Sequence, residues 1–215
     1  MKRLAVFISG NGSNLQAIID AIESGSLAAQ IAVVVSDQPE AFGLTRAKRH
    51  NIPILVQTKQ DYPKREDYDQ ALIEALASYE VDVIALAGFM RILSPGFVQR
   101  FVGQLVNIHP SLLPKYRGLH THRQVIENGD SLHGATVHFV TEELDGGPII
   151  AQEQLSVIAG ESEQDLKNRV HQIEHHLYPT VLHWLTQDRV VLTNGSVYMD
   201  GFALPETGHN LSNHT

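Results

Sequence analysis

The chain has 215 residues, of which 43% are hydrophobic and 19% are charged. This composition is typical of a soluble globular protein and excludes a disordered or fibrous chain. The 16 Lys and Arg against 24 Asp and Glu give a formal net charge of −8, which argues against nucleic acid and anionic membranes as partners. The absence of cysteine excludes disulfides, thiolate nucleophiles and Cys-held zinc or iron–sulfur centres. With no cleavable signal pattern and no membrane-length apolar stretch, the sequence predicts a cytoplasmic protein.

The first half alternates between apolar runs, which are typical of buried strands, and segments with one apolar helical stripe. This alternation predicts an α/β protein: a single-domain, mainly parallel, doubly wound (Rossmann-like) sheet with helices on both faces. Asn14 is the predicted N-cap of the first helix. The predicted strands are Leu4–Ile8, Ile31–Val35, Ile52–Val56, Val81–Ala87 and Leu105–His109, and two further helices are predicted at Phe42–His50 and around Tyr68–Tyr79.

The second half has a different pattern. Residues 134–140 alternate between apolar and polar, and residues 149–157 are a candidate partner strand. Ser162 begins a long helix with a capping-box pattern, which Pro179 is expected to kink or restart, and Asn194-Gly195 predicts a hairpin. The expected organisation is one domain over residues 1–205 and a polar, disordered tail over 206–215.

A glycine-rich loop, Gly10-Asn11-Gly12-Ser13-Asn14, lies between the first predicted strand and helix. Such a loop presents backbone N–H groups to a phosphate at the helix N-terminus. Leu15 occupies the position of the third glycine of a dinucleotide fingerprint, and no Walker lysine follows, so a phosphate monoester fits better than a dinucleotide. A plain strand-to-helix turn is the alternative interpretation.

Asn107 and His109 are two residues apart at the end of a predicted strand, so their side chains leave the same face. An amide donor beside an imidazole suits a developing oxyanion. The turn around Asp145-Gly146-Gly147 supplies a carboxylate, which beside His109 would favour the imidazolium. Thr136 and His138 share a strand face and are candidates to border the same cleft. The alternatives are a loop-capping role for His109, an acidic surface turn around Asp145, and a hydrogen-bonded sheet role for Thr136 and His138.

The segment His171-Gln172-Ile173-Glu174-His175 matches the H-x-x-E-H pattern of one class of zinc peptidase. No third ligand is identifiable, and Ile173 belongs to the predicted buried stripe. We therefore expect no metal.

These segments resemble the folate-dependent phosphoribosylglycinamide formyltransferase family. The likeness spans most of residues 4–190 and is carried, in the family's order, by residues 8–18, 86–93, 107–114 and 137–148. Arg117 is a departure, since the family carries Pro there.

The resemblance implies formyl transfer from 10-formyltetrahydrofolate, as co-substrate, to the amine of glycinamide ribonucleotide in purine biosynthesis. It implies a monomer or homodimer, catalysis by Asn107, His109 and Asp145, and no metal. The implied binding residues are Gly12, Ser13, Asn14 and Glu174 for the ribonucleotide, and Arg65, Met90, Arg91, Ile92, Leu93, Asn107, Thr141, Glu142, Glu143, Leu144 and Asp145 for the folate.

Several other functions stay open at this point. Within formyl chemistry they are hydrolysis of 10-formyltetrahydrofolate and transfer to methionyl-tRNA or an amino sugar. An NAD(P)-dependent oxidoreductase and a non-catalytic nucleotide-binding module are the alternatives from other classes.

Overall fold

The computed structural model describes residues 1–214, and the side chains of residues 1–212. The chain divides into two compact units, Met1–Asn107 and a second that begins at Ile108. The first unit alternates strands and helices, as its sequence pattern predicts. Its elements are β1 (Lys2–Ile8), α1 (Ser13–Glu23), β2 (Ala29–Ser36), α2 (Phe42–Arg49), β3 (Ile54–Val56), α3 (Arg65–Ala77), β4 (Val83–Leu86) and α4 (Pro95–Arg100), followed by β5 (Leu105–His109), whose last two residues begin the second unit.

The second unit pairs two long strands and carries the longest helix of the chain. Its elements are α5 (Thr121–Asn128), β6 (Leu132–Phe139), β7 (Ile149–Ser156), α6 (Glu163–Thr186), β8 (Val190–Thr193), β9 (Ser196–Met199), β10 (Phe202–Ala203) and β11 (His209–Asn210). Short 3₁₀ helices occupy Lys59–Asp61 and Leu211–His214.

The strands form an eight-stranded sheet in the order β11-β7-β6-β5-β4-β1-β2-β3 and a small sheet in the order β10-β9-β8. β1 pairs in parallel with β2 on one side and β4 on the other, and β4 pairs in parallel with β5. Only β6 and β7 pair antiparallel in the large sheet's described ladders. The chain therefore winds outward from β1 in both directions, and the predicted α/β class with a mainly parallel, doubly wound sheet is confirmed.

The apolar runs become strands because they are buried. Leu4–Ile8 of β1 are inaccessible to solvent, and Val33–Val35 of β2 are buried beside them. A central strand of a parallel sheet is covered on both faces, so the sequence reads as continuously apolar there.

Local geometry differs from the predictions at two helices. Gly12, not Asn14, caps α1, because Gly12 takes the left-handed conformation (φ 72°) and the helix begins at Ser13. α6 continues through Pro179 without restarting, and its first turn is capped by Ser162, whose Oγ accepts from the Asp165 N–H at 3.1 Å. α4 and α5 were not predicted; both are short, at six and eight residues.

The segment predicted to be disordered is ordered over its described part. β11 adds a parallel strand beside Ala151 and Gln152 of β7, and the His209 ring meets the Trp184 ring edge-on at 5.4 Å between centroids. An edge strand such as β7 has backbone N–H and C=O groups that can pair with another strand. The segment that forms β11 is polar, so hydrophobic periodicity could not predict this strand. Residue 215 of the predicted tail lies outside the described residues.

None of the helices within residues 1–214 combines the length and the apolarity that crossing a membrane requires.

Candidate active site

The ring of His109 and the carboxylate of Asp145 lie side by side in the second unit. His109 Nδ1 is 3.5 Å from Asp145 Oδ2, and the two side chains are 6% and 9% exposed. Asp145 Oδ2 also accepts the Gly118 N–H at 2.9 Å. The structure thus brings together the predicted imidazole and the predicted distant acid, which is buried and does not point to solvent.

The turn that carries Asp145 explains how a polar loop delivers a buried acid. Asp145 itself takes a positive φ of 47°, and the Gly146 N–H closes the turn onto the Glu143 carbonyl at 3.1 Å. A Cβ at Gly147 would collide with the carbonyl oxygen of Phe139. Glycine at 147 therefore allows the backbone to approach β6 closely, and this directs Asp145 inward.

The other ring nitrogen of His109 faces a backbone carbonyl. His109 Nε2 is 2.8 Å from the Tyr116 oxygen, and a carbonyl oxygen only accepts, so Nε2 carries a proton. Nδ1 faces the Asp145 carboxylate, so each ring nitrogen of His109 has an oxygen acceptor beside it.

Two further polar residues of β6 point to the same side of the strand. His138 Nε2 is 3.8 Å from Asp145 Oδ1, and burial lowers the pKa of His138, so this imidazole is neutral beside the acid. Thr136 has a different role: its hydroxyl donates to the Ser111 carbonyl at 2.6 Å and accepts the Leu113 N–H at 3.1 Å. Thr136 is thus a hydrogen-bonded sheet residue, whereas His138 borders the acid.

In the first unit, β1 and β4 meet at the point where the winding reverses, and ligands bind there in open α/β sheets. Ser9, which follows β1, holds the two loops together: its N–H donates to the Gly88 carbonyl at 3.1 Å, and its Oγ accepts the Met90 N–H at 2.8 Å. Asn107 pairs with Leu86 of β4 and lies at the same edge. The glycine loop and the loop after β4, which carries Met90 to Leu93, are therefore neighbours.

The glycine loop is close-packed against α2 and hydrogen-bonded to it. A Cβ on Gly12 would lie 2.7 Å from the Gly43 Cα, and Gly43 donates its N–H to the Gly10 carbonyl at 3.0 Å. Arg46 clamps the loop by donating to the Asn11 carbonyl and side-chain oxygen at 2.9 and 3.0 Å. The loop leads directly into α1, whose N-terminus attracts anions, and Ser13 and Asn14 form the first turn of that helix.

The loop after β4 exposes apolar side chains. Met90 and Ile92 are 69% and 61% exposed, although Leu93 is buried. The Arg91 guanidinium stacks 3.9 Å from the centroid of the Tyr68 ring, and burial raises the pKa of Tyr68. Two exposed apolar side chains beside a held guanidinium form a surface suited to a flat, partly polar ring.

The remaining predicted binding residues have different surroundings. Arg65 is exposed at the start of α3, 3.8 Å from Glu66. Glu174 is buried on α6. Thr141, Glu142, Glu143 and Leu144 lie in the turn before Asp145, with the last three exposed and Glu143 paired with Arg117.

The zinc-like pattern forms a stacked pair of rings. His171 and His175 lie one turn apart on α6, with ring centroids 6.2 Å apart and planes within 20°. Among residues whose side chains are described, no group of three or more His, Asp or Glu is arranged to hold a metal ion.

Comparison with known families decides the assignment. Residues 2–182 match the family described as formyl transferase. The chain belongs to this formyl transferase family. It is 50% identical over 206 residues to the phosphoribosylglycinamide formyltransferase of Escherichia coli (strain K12), covering 96% of this chain and 97% of the relative. The enzyme of the same name from Haemophilus influenzae is 47% identical over 209 residues, covering 97% and 99%.

Solved formyl transferase structures agree with the fold. The phosphoribosylglycinamide formyltransferase of Coxiella burnetii has a TM-score of 0.94 at 44% identity, covering 97% of this chain and 98% of that one.

Two features of this candidate site could not be predicted from the sequence. The Tyr116 carbonyl at His109 and the Gly118 N–H at Asp145 are backbone groups, so no residue type marks them. The positive φ values of Tyr116 and Gly118 (56° and 79°) shape this loop; the glycine at 118 is the one available signal, and it indicates only a turn.

Proposed function

We propose that this chain is a phosphoribosylglycinamide formyltransferase that transfers the formyl group of 10-formyltetrahydrofolate to the amine of glycinamide ribonucleotide. The observation that carries the proposal is the buried His109, held between the Asp145 carboxylate and the Tyr116 carbonyl, in a chain that matches enzymes of that name over nearly its full length. We also retain as predictions a cytoplasmic location and a monomer or homodimer.

The chemistry needs a donor at the reacting carbonyl. The substrate amine attacks the formyl carbon, a new C–N bond forms, and the carbonyl electron pair moves to oxygen. The His109 imidazolium donates to this oxyanion through Nδ1, because Nε2 is already bonded to Tyr116. Asn107, two residues earlier on β5, donates through its amide. Each such donor contributes about 3–4 kcal/mol to lowering the barrier.

Collapse of the tetrahedral intermediate returns the electron pair to the carbonyl and breaks the bond from carbon to N10. The attacking nitrogen must lose a proton, and N10 must gain one. Asp145 stabilises the charged His109 and relays this proton through a water molecule. No side chain forms a covalent intermediate in this scheme.

The two substrates need different surfaces. The ribonucleotide phosphate binds the N–H groups of Gly12, Ser13 and Asn14 at the start of α1, and the hydrogen bond from Arg46 to the Asn11 carbonyl supports this loop. The buried Glu174 carboxylate suits a cationic or amide donor of the glycinamide group.

For the folate, the exposed apolar side chains of Met90, Ile92 and Leu144 cover the pterin, and Arg65 and Arg91 meet its anionic or carbonyl groups. The backbone of Thr141, Glu142, Glu143 and Asp145, together with Leu93 and Asn107, completes the predicted folate contacts.

The decisive experiment is an assay of 10-formyltetrahydrofolate consumption with glycinamide ribonucleotide and, in parallel, with water alone. We expect turnover only when the ribonucleotide is present, with one formylated product per folate released. Equal turnover without the amine identifies a hydrolase instead. Methionyl-tRNA and an amino sugar in the same assay test the other acceptors.

A further inference from the structure

The backbone carbonyl of Tyr116 accepts hydrogen bonds from two side chains of the candidate active site. Its carbonyl accepts from His109 Nε2 at 2.8 Å and from the buried Ser111 hydroxyl at 3.2 Å. The residue has a φ of 56°, a left-handed conformation that a tyrosine adopts at a cost and only when its surroundings hold it there. The position of this carbonyl therefore depends on what holds Tyr116.

The side chain of Tyr116 ends in a separate polar network. Its hydroxyl donates to Asp130 Oδ2 at 2.8 Å and accepts from Asn128 Nδ2 at 3.1 Å. Lys115 Nζ also pairs with Asp130 Oδ2 at 3.0 Å. Hydrogen bonds from Lys115 and Tyr116 lower the pKa of Asp130, so this carboxylate stays an acceptor at neutral pH.

Tyr116 is half-buried. It borders a cavity of about 200 Å³, which is lined by Leu112, Lys115, Tyr116, Asp130, Leu132 and His133. A side chain beside open space keeps its orientation through directional bonds and not through close contact. The bond from the hydroxyl to Asp130 is the strongest such restraint, because its acceptor is charged.

We propose that Asp130 is a positioning residue for formyl transfer: it anchors the Tyr116 side chain so that the Tyr116 carbonyl holds Nε2 of His109. The proposal rests on the proposed function. Fixing the proton on one ring nitrogen sets the orientation of the ring and leaves the other nitrogen to serve the reaction. Asp130 touches neither substrate in this account and acts only through Tyr116.

The kinetic test compares Tyr116→Phe, which keeps the carbonyl and the ring, with the matched control Tyr198→Phe on the hairpin strand β9. A misplaced catalytic group lowers kcat steeply, so we expect kcat to fall about tenfold in Tyr116→Phe with both KM values unchanged. Tyr198→Phe should match the wild type. A raised KM at constant kcat assigns the hydroxyl to substrate binding and overturns the proposal.

A second pair of variants separates the hydrogen bond from the charge. Asp130→Ala removes the acceptor of the Tyr116 hydroxyl, so its kcat should fall about as much as that of Tyr116→Phe. Asp130→Asn keeps an oxygen that can accept from the hydroxyl, so its kcat should stay close to that of the wild type. Equal losses in the two variants show that charge, and not anchoring, matters at this position, and they contradict the proposal. Circular dichroism checks that each variant is folded.

The ¹⁵N NMR spectrum of the histidine rings distinguishes a positioning role from a purely structural one. The His109 signals are assigned with a His109→Gln variant. The His109 signals should shift in Tyr116→Phe and Asp130→Ala and stay in place in Tyr198→Phe. Unchanged signals overturn the proposal even if kcat falls. This NMR experiment contains no substrate, so its result tests the positioning role of Asp130 independently of the proposed reaction.

Discussion

At the scale of single residues, His109 is defined by what its two ring nitrogens face. One faces a carboxylate at 3.5 Å and the other a backbone carbonyl at 2.8 Å. An oxygen acceptor beside each nitrogen suits a ring that donates hydrogen bonds. Asn107 lies two residues earlier on β5, and we propose that its amide is the neutral donor of the pair.

Asn107→Ala should therefore lower kcat by about 10²–10³-fold with little change in either KM, because an oxyanion donor bonds most strongly in the transition state. Steady-state kinetics with each substrate varied in turn measures this. Binding of glycinamide ribonucleotide, measured by isothermal titration calorimetry, serves as the control and should be unaffected, because its proposed contacts do not include Asn107. A kcat equal to that of the wild type would remove Asn107 from the oxyanion site.

At the scale of elements, α3 holds the loop that follows β4. Asp69 is 1% exposed, and its carboxylate accepts the N–H of Ser94 in a short hydrogen bond. Ser94 in turn caps α4 by accepting the Phe97 N–H at 3.3 Å. One buried acid thus fixes the end of the loop that carries Met90 to Leu93.

Asp69→Ala should lower the free energy of unfolding by about 1–3 kcal/mol, since the buried Ser94 N–H loses its acceptor. It should also raise KM for the folate and leave KM for the ribonucleotide unchanged. Asp67→Ala, at an exposed position of the same helix, is the matched control for denaturant unfolding and kinetics. An equal effect on both KM values would show that Asp69 supports the fold as a whole and not this loop.

The elements also show where sequence patterns succeed. The β1–α1–β2 alternation and the Asn194-Gly195 hairpin were predicted because periodicity and turn residues are local signals, and β8 and β9 pair as expected. α4 was missed because a helix of six residues gives the apolar period too few repeats to show. α5 was missed because its buried residues are Thr121, His122 and Val125, of which only Val125 is apolar. Pro179 was expected to kink or restart α6; the helix continues through it without restarting, and Pro179 itself is buried.

At the scale of the whole molecule, a pair of buried imidazoles links stability to pH. His122 Nδ1 and His133 Nε2 are 2.9 Å apart, and the residues are 8% and 1% exposed. Burial lowers the pKa of each ring to about 4. A neutral pair can share one proton in a hydrogen bond, whereas two charged rings at this distance repel each other.

The free energy of unfolding should therefore fall as the pH drops from about 6.5 to about 4. In that range the unfolded chain binds protons that the folded chain does not, and each pKa unit of difference costs about 1.4 kcal/mol per ring. Urea unfolding at several pH values measures the slope. The double variant His122→Gln/His133→Gln should flatten it, and exposed His176→Gln should not. An unchanged slope in the double variant would assign the pH dependence to other groups.

The sequence by itself determined the class of fold, the polar pair at the end of β5 and the glycine loop. Neighbouring residues suffice for these predictions, because buried parallel strands appear as apolar runs and side chains two residues apart on a strand share a face. Only the tertiary structure decided that Asp145 is buried beside His109, that the Tyr116 carbonyl faces the same ring, and that residues 209–210 complete an edge of the sheet. These contacts join residues that are up to 58 positions apart and involve backbone groups common to every amino acid. No local pattern records such a contact, because it exists only once the chain has folded.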